Sequence, residues 1–365
     1  MDTAKTVRDA GYDLSAPFLL APGGTRIIQI QPTLRCNLRC AHCYTESGPD
    51  RPEEISLESL EGFLSEAGSI GYQYVGISGG EPLLWKGLED LLGFAKGAGF
   101  STSVTTNGTL LDANRAARLF GCVDLVAVSV DGPPEEHAAM RGSQTAFPSM
   151  CNGLSALRDA GIPFVLAFTL TRHNADQLRW LYGFADDVGA LGVNVHPLCD
   201  HGAASINLSD SVPDSIEFKV SAWLLAVLME QRGIGGPAVT LDAIQRTLVE
   251  KSCWPMLAKD DDQLRTAPFH DLMPSLIIEP DGCIVPFIYG FPRAWSLGFI
   301  GQNSLLASTE AWQARYIVPV AGLIQYTLEQ LAGVGAEYVD LFGEILTAAK
   351  RLHLTSGKVE HGVSH

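Results

Sequence analysis

The chain has 365 residues, enough for about two domains or for one large α/β barrel with an appendage. Hydrophobic residues make up 46% and charged residues 18%, which supports a packed core and excludes a mainly disordered chain. The formal net charge of -16 repels phosphate backbones and anionic lipid, so we expect neither a nucleic acid nor a membrane as partner. Because neither a membrane-spanning segment nor a signal peptide is visible, we expect a cytoplasmic protein.

Strand and helix patterns alternate from residue 25 onward, which is typical of βα units around a parallel sheet. The predicted strands cover residues 25–31, 74–78, 101–106, 125–130, 164–170 and 193–198. The predicted helices cover residues 57–69, 88–98, 112–120, 147–160, 176–188 and 213–231. We therefore predict an α/β fold with a partial (β/α)6 TIM-like barrel and a smaller mixed α/β C-terminal extension. The predicted division is an N-terminal extension (1–24), the barrel (25–235) and the C-terminal extension (236–365).

Three of the eight cysteines lie close together after the first predicted strand, at Cys36, Cys40 and Cys43. Clustered thiols in a reducing compartment are typical metal ligands rather than disulfide partners. Three thiolates can bind three irons of a [4Fe–4S] cube and leave the fourth iron open to a small molecule, because fully ligated clusters use four cysteines. The alternative is a zinc site that His42 or a distant cysteine completes.

The segment from Cys36 to Tyr44 has the CxxxCxxC pattern and resembles the radical S-adenosylmethionine (SAM) enzymes, in which this motif also follows the first strand. Further matches follow in order: Gly79-Gly80-Glu81-Pro82, Thr105-Thr106-Asn107-Gly108, Ser129-Val130-Asp131-Gly132-Pro133, His137 and Arg141-Gly142. In particular, the chain resembles the peptide-maturase branch, whose members carry a C-terminal SPASM or twitch extension. The resemblance implies one [4Fe–4S] cluster and SAM as cofactors. It also implies a one-electron reductant such as flavodoxin or ferredoxin.

The same resemblance implies which residues bind the cofactors. Cys36, Cys40 and Cys43 would bind the cluster. Glu81, which follows the flexible pair Gly79 and Gly80, would accept a hydrogen bond from the SAM ammonium group. The remaining candidates for cofactor binding are His42, Tyr44, Gly79, Gly80, Asn107, Ser129, Asp131, Arg141, Thr169 and Val195.

The C-terminal extension departs from that of its relatives, which adds cysteines for one or two further clusters. Residues 277–287 resemble the hairpin of that extension, but Phe287 stands where a cysteine is expected. Cys253 and Cys283 alone cannot hold a cube, so we expect no auxiliary cluster and an extension that covers the barrel. Cys199, just after the sixth strand, is the catalytic candidate, because an epimerase needs a thiol as hydrogen-atom donor.

The resemblance implies that SAM is cleaved reductively to methionine and a 5′-deoxyadenosyl radical, which takes a hydrogen atom from a substrate C–H bond. We expect the substrate to be a ribosomally synthesised peptide that is crosslinked, epimerised or similarly modified. The N-terminal extension is too short for a leader-peptide recognition domain, so we expect either a separate recognition protein or direct recognition. A small metabolite (a sugar, nucleoside or amino acid) in natural-product biosynthesis is the alternative substrate. A non-catalytic metal-binding protein is the third interpretation.

Overall fold

The structure is a computed structural model that describes residues 26–233, 235–246 and 256–360. Its strands are β1 (Ile27–Ile30), β2 (Tyr74–Ile77), β3 (Ser101–Thr106), β4 (Leu125–Ser129), β5 (Phe164–Leu170), β6 (Gly192–Pro197), β7 (Ala238–Leu241), β8 (Ile244–Gln245), β9 (Ser275–Ile278), β10 (Cys283–Pro286), β11 (Gly298–Phe299) and β12 (Tyr338–Val339). Its helices are α1 (Leu57–Ser69), α2 (Leu88–Gly97), α3 (Ala113–Leu119), α4 (Pro134–Arg141), α5 (Ala146–Asp159), α6 (Leu178–Val188), α7 (Ala203–Asn207), α8 (Ser215–Arg232), α9 (Asp261–Thr266), α10 (Phe269–Leu272), α11 (Leu305–Gly333) and α12 (Leu341–Glu360).

A single sheet of ten strands forms the framework, in the order β11-β10-β9-β1-β2-β3-β4-β5-β6-β7. The strands from β9 through β1 to β7 are parallel, and β10 and β11 extend the β9 edge in antiparallel fashion. Six of these strands alternate with helices as predicted, which confirms the partial (β/α)6 barrel. Thr25, the first residue of the predicted strand 1, lies outside the described residues.

Side chains alternate between two faces along each barrel strand. In β1, Ile28 and Ile30 are fully buried in the hydrophobic core, whereas Gln29 lines an interior cavity. In β6, Val193 and Val195 are in the core, whereas Asn194 and His196 line the cavity. The apolar face therefore holds the strands against the helices, and the other face is free to carry polar groups.

Two strands that the sequence assigned to the C-terminal extension belong to the barrel sheet. β7 pairs with β6, and β9 pairs with β1 in parallel register, with Ile27 opposite Ser275. The sheet therefore continues across the predicted boundary between residues 235 and 236. The division into domains stays a prediction.

The long helix α11 was not predicted, and it anchors the C-terminal part of the chain. The Ser304 side chain caps its N-terminus by accepting a hydrogen bond from the Ala307 N–H group. The helix packs against α1, α9, α10 and α12, and Trp312 Nε1 donates to the Trp295 carbonyl oxygen at 2.7 Å. Among the described residues, no helix has the length and apolar character needed to cross a membrane.

Candidate functional site

A cavity of about 720 Å³ lies inside the barrel and contains most of the predicted site residues in its wall. These residues are Cys36, Cys40, His42, Cys43, Tyr44, Gly79, Gly80, Asn107, Ser129, Arg141, Thr169 and Cys199. The C-terminal part of the chain completes the wall with Phe287, Ile288, Tyr289, Asp340 and Phe342. The cavity is thus shared by the barrel and the chain that follows it.

Each of the three clustered cysteine sulfurs has a hydrogen-bond donor nearby. The donor–sulfur pairs are Leu38 N–H with Cys36 Sγ (3.5 Å), the Arg141 guanidinium with Cys40 Sγ (3.7 Å) and Ser47 N–H with Cys43 Sγ (3.4 Å). Hydrogen bonds to sulfur are among the interactions by which proteins tune iron–sulfur clusters. Burial raises the pKa of Cys36 to about 12 and also raises that of Cys40, so a metal has to displace a proton from each of these thiols.

This donor set fits an iron–sulfur cluster with three protein ligands and a small molecule beside it. The three sulfurs line one cavity, and that cavity has room for a further ligand. Within the described residues, the buried Gln31 Oε1 and His42 Nδ1 have no hydrogen-bond partner, and both residues line this cavity. In the same part of the chain, no three His, Cys, Asp or Glu side chains converge on a position for one metal ion.

Two glycines allow the end of β2 to lie directly against the backbone before Cys36. Gly79 has φ +109°, a conformation that favours glycine, and a Cβ atom there would lie 2.8 Å from the Thr33 carbonyl oxygen. A Cβ atom on Gly80 would lie 2.3 Å from the Arg35 carbonyl oxygen. The Glu81 N–H group donates to that same oxygen at 2.9 Å. The cysteine loop is therefore supported by the glycine pair.

Glu81 lies in the segment that follows β2 and is fully buried. Its carboxylate accepts hydrogen bonds from the Leu83 N–H (3.1 Å), the Thr106 hydroxyl (2.7 Å) and the Asn107 N–H (2.9 Å). Burial raises the pKa of this carboxyl group. Its contacts join the ends of β2 and β3, and Glu81 is not part of the cavity wall. The role of Glu81 as acceptor for the SAM ammonium group stays a prediction.

Asp131 and Arg141 form a buried ion pair next to the cysteine loop. Arg141 Nε lies 2.5 Å from Asp131 Oδ2, and His42 Nε2 lies 4.0 Å from Asp131 Oδ1. Burial alone would raise the pKa of Asp131, but Arg141 and the neighbouring histidines hold it below its usual value. Burial lowers the pKa of His42 to about 4, so this imidazole is neutral at neutral pH. Arg141 therefore connects a buried carboxylate to Cys40.

The other predicted cofactor-binding residues lie on two different faces of the sheet: some side chains line the cavity, and one lies in the hydrophobic core. Asn107, Ser129 and Thr169 line the cavity, and Asn107 Nδ2 lies 3.9 Å from Cys36 Sγ. Tyr44 lines the cavity as well, with its ring edge-on to Tyr289 at a centroid distance of 5.5 Å. The Val195 side chain lies on the opposite face of β6, in the hydrophobic core. Only backbone atoms of Val195 are therefore available to a ligand in the barrel.

The three cysteines that were considered outside the loop have different environments. Cys199 lines the cavity, and burial raises its pKa to about 11, so it is a protonated thiol at neutral pH. Cys283 is fully buried in β10 and takes no part in the described cavity wall. Cys253 lies outside the described residues. Among the cysteines described beyond the loop, Cys199 alone lines the cavity.

The cavity wall also contains a histidine and two aspartates that the sequence did not predict: His196, Asp242 and Asp340. His196 Nδ1 is hydrogen-bonded to Asp242 Oδ2. Asp340 caps the start of α12, where its Oδ1 accepts a hydrogen bond from the Gly343 N–H at 3.0 Å. The sequence contains a signal for His196. Apolar Val193 and Val195 alternate in β6 with Asn194 and His196, so the latter two face away from the core. No sequence pattern connects Asp340 to this cavity, since it comes from the far end of the chain.

Residues 30–185 match the family model of the radical SAM superfamily. Over 197 residues the chain is 29% identical to the AdoMet-dependent heme synthase of Nitratidesulfovibrio vulgaris, which covers 53% of this chain and 53% of that enzyme. Over 151 residues it is 32% identical to the sporulation killing factor maturation protein SkfB of Bacillus subtilis, which covers 41% of this chain and 37% of SkfB. The chain thus matches about half or less of the length of these curated relatives.

The solved structure of Streptococcus suis SuiB bound to its precursor peptide SuiA has a similar fold. The TM-score is 0.63, and the match covers 86% of this chain and 68% of SuiB at 14% sequence identity. At this level of identity, the match shows a shared fold.

Proposed function

We propose that residues 30–185, which match the radical SAM family model, form a radical SAM domain, and that the protein removes a hydrogen atom from a substrate C–H bond. When bound, the cluster and SAM supply a 5′-deoxyadenosyl radical from one electron of an external reductant, with release of methionine. The radical becomes 5′-deoxyadenosine when it takes the substrate hydrogen. The observation that carries this proposal is that the three cysteines of one loop line the same substrate-sized cavity.

The residues of this chain would bind, orient and enclose the reactants. Cys36, Cys40 and Cys43 are the proposed cluster ligands, and the Arg141 guanidinium donates to the Cys40 sulfur. Asn107 lies beside the Cys36 sulfur and presents an amide to the cavity. The barrel walls would shield a reactive radical from bulk water.

We propose a ribosomally synthesised peptide as the substrate class. The fold similarity to SuiB, which was solved with a precursor peptide, and the sequence similarity to the maturation protein SkfB both favour a peptide. If the product is an epimer, the Cys199 thiol would give its hydrogen atom to the substrate carbon radical. The resulting thiyl radical then needs one electron and one proton, which we assign to the external reductant and to water.

A small molecule is the second candidate substrate, and it is favoured by the similarity to an AdoMet-dependent heme synthase. Two probes distinguish these candidates. Iron coproporphyrin III, the compound in the name of a similar synthase of Methanosarcina barkeri, can be titrated into the reconstituted protein and followed by its absorbance. A short peptide encoded beside the gene can be incubated with the protein and followed by mass spectrometry. Conversion of the peptide without a change of the porphyrin spectrum supports the first candidate, and the reverse result supports the second.

The radical SAM assignment is tested by anaerobic reconstitution, iron counting and a 5′-deoxyadenosine assay. We expect about four irons per chain in the wild type and loss of both iron and 5′-deoxyadenosine in Cys36→Ala, Cys40→Ala and Cys43→Ala. Cys122→Ala is the matched control, because Cys122 does not line the described cavity and should keep both properties. A colourless protein that binds zinc and forms no 5′-deoxyadenosine would refute the proposal.

A further inference from the structure

Two carboxylates and an imidazole form a polar group in the cavity wall, here called the acidic group: His196, Asp242 and Asp340. His196 belongs to β6, Asp242 follows β7 directly, and Asp340 lies between β12 and α12. The cysteine loop, in contrast, follows β1, which lies between β9 and β2 in the sheet. The acidic group is therefore built by different elements from the proposed cluster site.

The acidic group is accessible to a ligand. The side chains of His196 and Asp242 keep 46% and 55% of their surface accessible although they belong to the wall of a barrel. Asp340 uses Oδ1 to cap α12 through the Gly343 N–H. Each of these carboxylates thus has one oxygen in a hydrogen bond within the protein, and its second oxygen can accept a hydrogen bond from a ligand.

The acidic group has one carboxylate more than it has cationic partners. Asp242 raises the pKa of His196, so these two side chains form an ion pair and Asp340 is the carboxylate in excess. Within the described residues, Arg141 is the guanidinium of the cavity wall, and it is paired with the buried Asp131. Lys350 on α12 contacts the His201 ring, with Nζ 3.2 Å from Nδ1. One imidazole therefore faces two carboxylates.

The state of Asp340 agrees with this excess of negative charge. Its pKa is raised to about 6, first by burial and then by the carboxylates of Asp242 and Glu344, while His196 acts in the opposite direction. A cation bound beside Asp340 would stabilise the ionised carboxylate and lower this pKa.

A second feature of the cavity also requires a hydrogen-bond donor. Gln31 keeps only 1% of its surface accessible, and within the described residues its Oε1 atom has no hydrogen-bond partner. Because Gln31 lines the same cavity, a bound molecule with N–H groups can reach an unused acceptor there. The Gln31 amide oxygen and the two carboxylates are all hydrogen-bond acceptors.

We propose that the substrate carries an ammonium or guanidinium group, which binds at Asp242 and Asp340 and orients the substrate in the cavity. This inference rests on the proposed function and makes Asp242 and Asp340 specificity-determining residues. A cation gains two ionised acceptors, whereas an anionic group at the same place meets like charges.

The test uses the reconstituted holoenzyme with SAM and two probes that differ only in the terminal ammonium group, N-acetyl-lysine amide and N-acetyl-norleucine amide. Calorimetric titration above neutral pH should show millimolar or tighter binding of the lysine probe and about tenfold weaker binding of the norleucine probe. Asp242→Asn and Asp340→Asn should each remove this preference. Asparagine can keep the cap of α12, so the second variant is expected to fold. Asp187→Asn, on the exposed face of α6, changes the net charge equally and should keep the preference.

Equal binding of the two probes, no binding of the lysine probe, or an unchanged preference in both acidic-group variants would overturn the inference. Iron content and 5′-deoxyadenosine formation without substrate are measured on the same samples. If these are normal while the lysine preference is absent, this inference fails and the proposed function stands. If the wild type forms no 5′-deoxyadenosine, the proposed function itself fails.

Discussion

Replacing Gly80 by alanine tests whether the glycine pair supports the cysteine loop. The new Cβ atom would lie 2.3 Å from the Arg35 carbonyl oxygen and 2.8 Å from the carbonyl carbon of Leu34. These atoms belong to the backbone that leads directly into Cys36, so they cannot move aside as a flexible side chain would. We expect the substitution to displace the first cysteine of the loop.

The size of the effect follows from these distances. Ordinary Cβ contacts begin near 3.4 Å, so a contact of 2.3 Å requires a backbone shift of about 1 Å. Overpacking of this kind costs about 1–3 kcal/mol. Loss of the 2.9 Å hydrogen bond from Glu81 N–H to Arg35 adds about 1 kcal/mol. The free energy of unfolding should therefore fall by about 2–4 kcal/mol.

Urea unfolding of the purified chain, iron content after reconstitution and SAM binding are measured together. Gly93→Ala is the matched control, because Gly93 lies in α2 and a Cβ atom there would have no neighbouring atom within 4 Å. It should stabilise the helix by up to about 1 kcal/mol and leave the iron content unchanged. If Gly80→Ala keeps both the wild-type stability and the wild-type iron content, the glycine pair does not support the loop.

Two further substitutions test the charged residues of the site. The pKa of Asp340 is raised to about 6 by burial and by Asp242 and Glu344, so ionisation destabilises the fold as the pH rises through this value. Asp340→Asn should therefore raise the urea midpoint at about pH 8 and change it little at about pH 4; equal shifts at both would contradict this. Arg141→Gln leaves the buried carboxylate of Asp131 without its cation and should lower the free energy of unfolding by about 3–5 kcal/mol. Arg141→Lys should recover part of this loss in the same urea measurement, and a loss below about 1 kcal/mol for glutamine would refute the role of the pair.

The barrel could be predicted from the sequence because its signals are local. Helix α1 has the predicted bounds, since apolar residues recur at helical spacing and Ser56 caps the N-terminus through the Ser59 N–H. The position of β9 could not be predicted, because its parallel partner β1 lies almost 250 residues earlier and no local pattern selects a partner at that distance. Asp260 caps α9 and Gln263 completes the capping box, so the acidic run Asp260–Asp262 begins a helix.

The candidate site divides in the same way. Motif residues such as Cys36 and Asn107 line one cavity because they follow neighbouring parallel strands. For other residues, the face of the strand determines whether the side chain reaches the cavity. Val195 and His196 are neighbours in β6, but Val195 lies in the core and His196 lines the cavity. Asp340 could not be found from sequence, because its place in the cavity depends on how the C-terminal part packs.

Phe287, which stands where a cysteine is expected, packs against residues of the C-terminal part of the chain. It has φ +66°, which is costly for an aromatic residue and persists only where packing determines the conformation. Its ring packs against Phe291 at 5.5 Å and Phe342 at 6.3 Å, and its carbonyl oxygen accepts a hydrogen bond from the Ser275 hydroxyl at 3.0 Å. Because Phe342 lies two residues after Asp340, this contact links the hairpin β9–β10 to the start of α12. Aromatic packing therefore positions one carboxylate of the acidic group, and the selectivity proposed for the cavity depends on it.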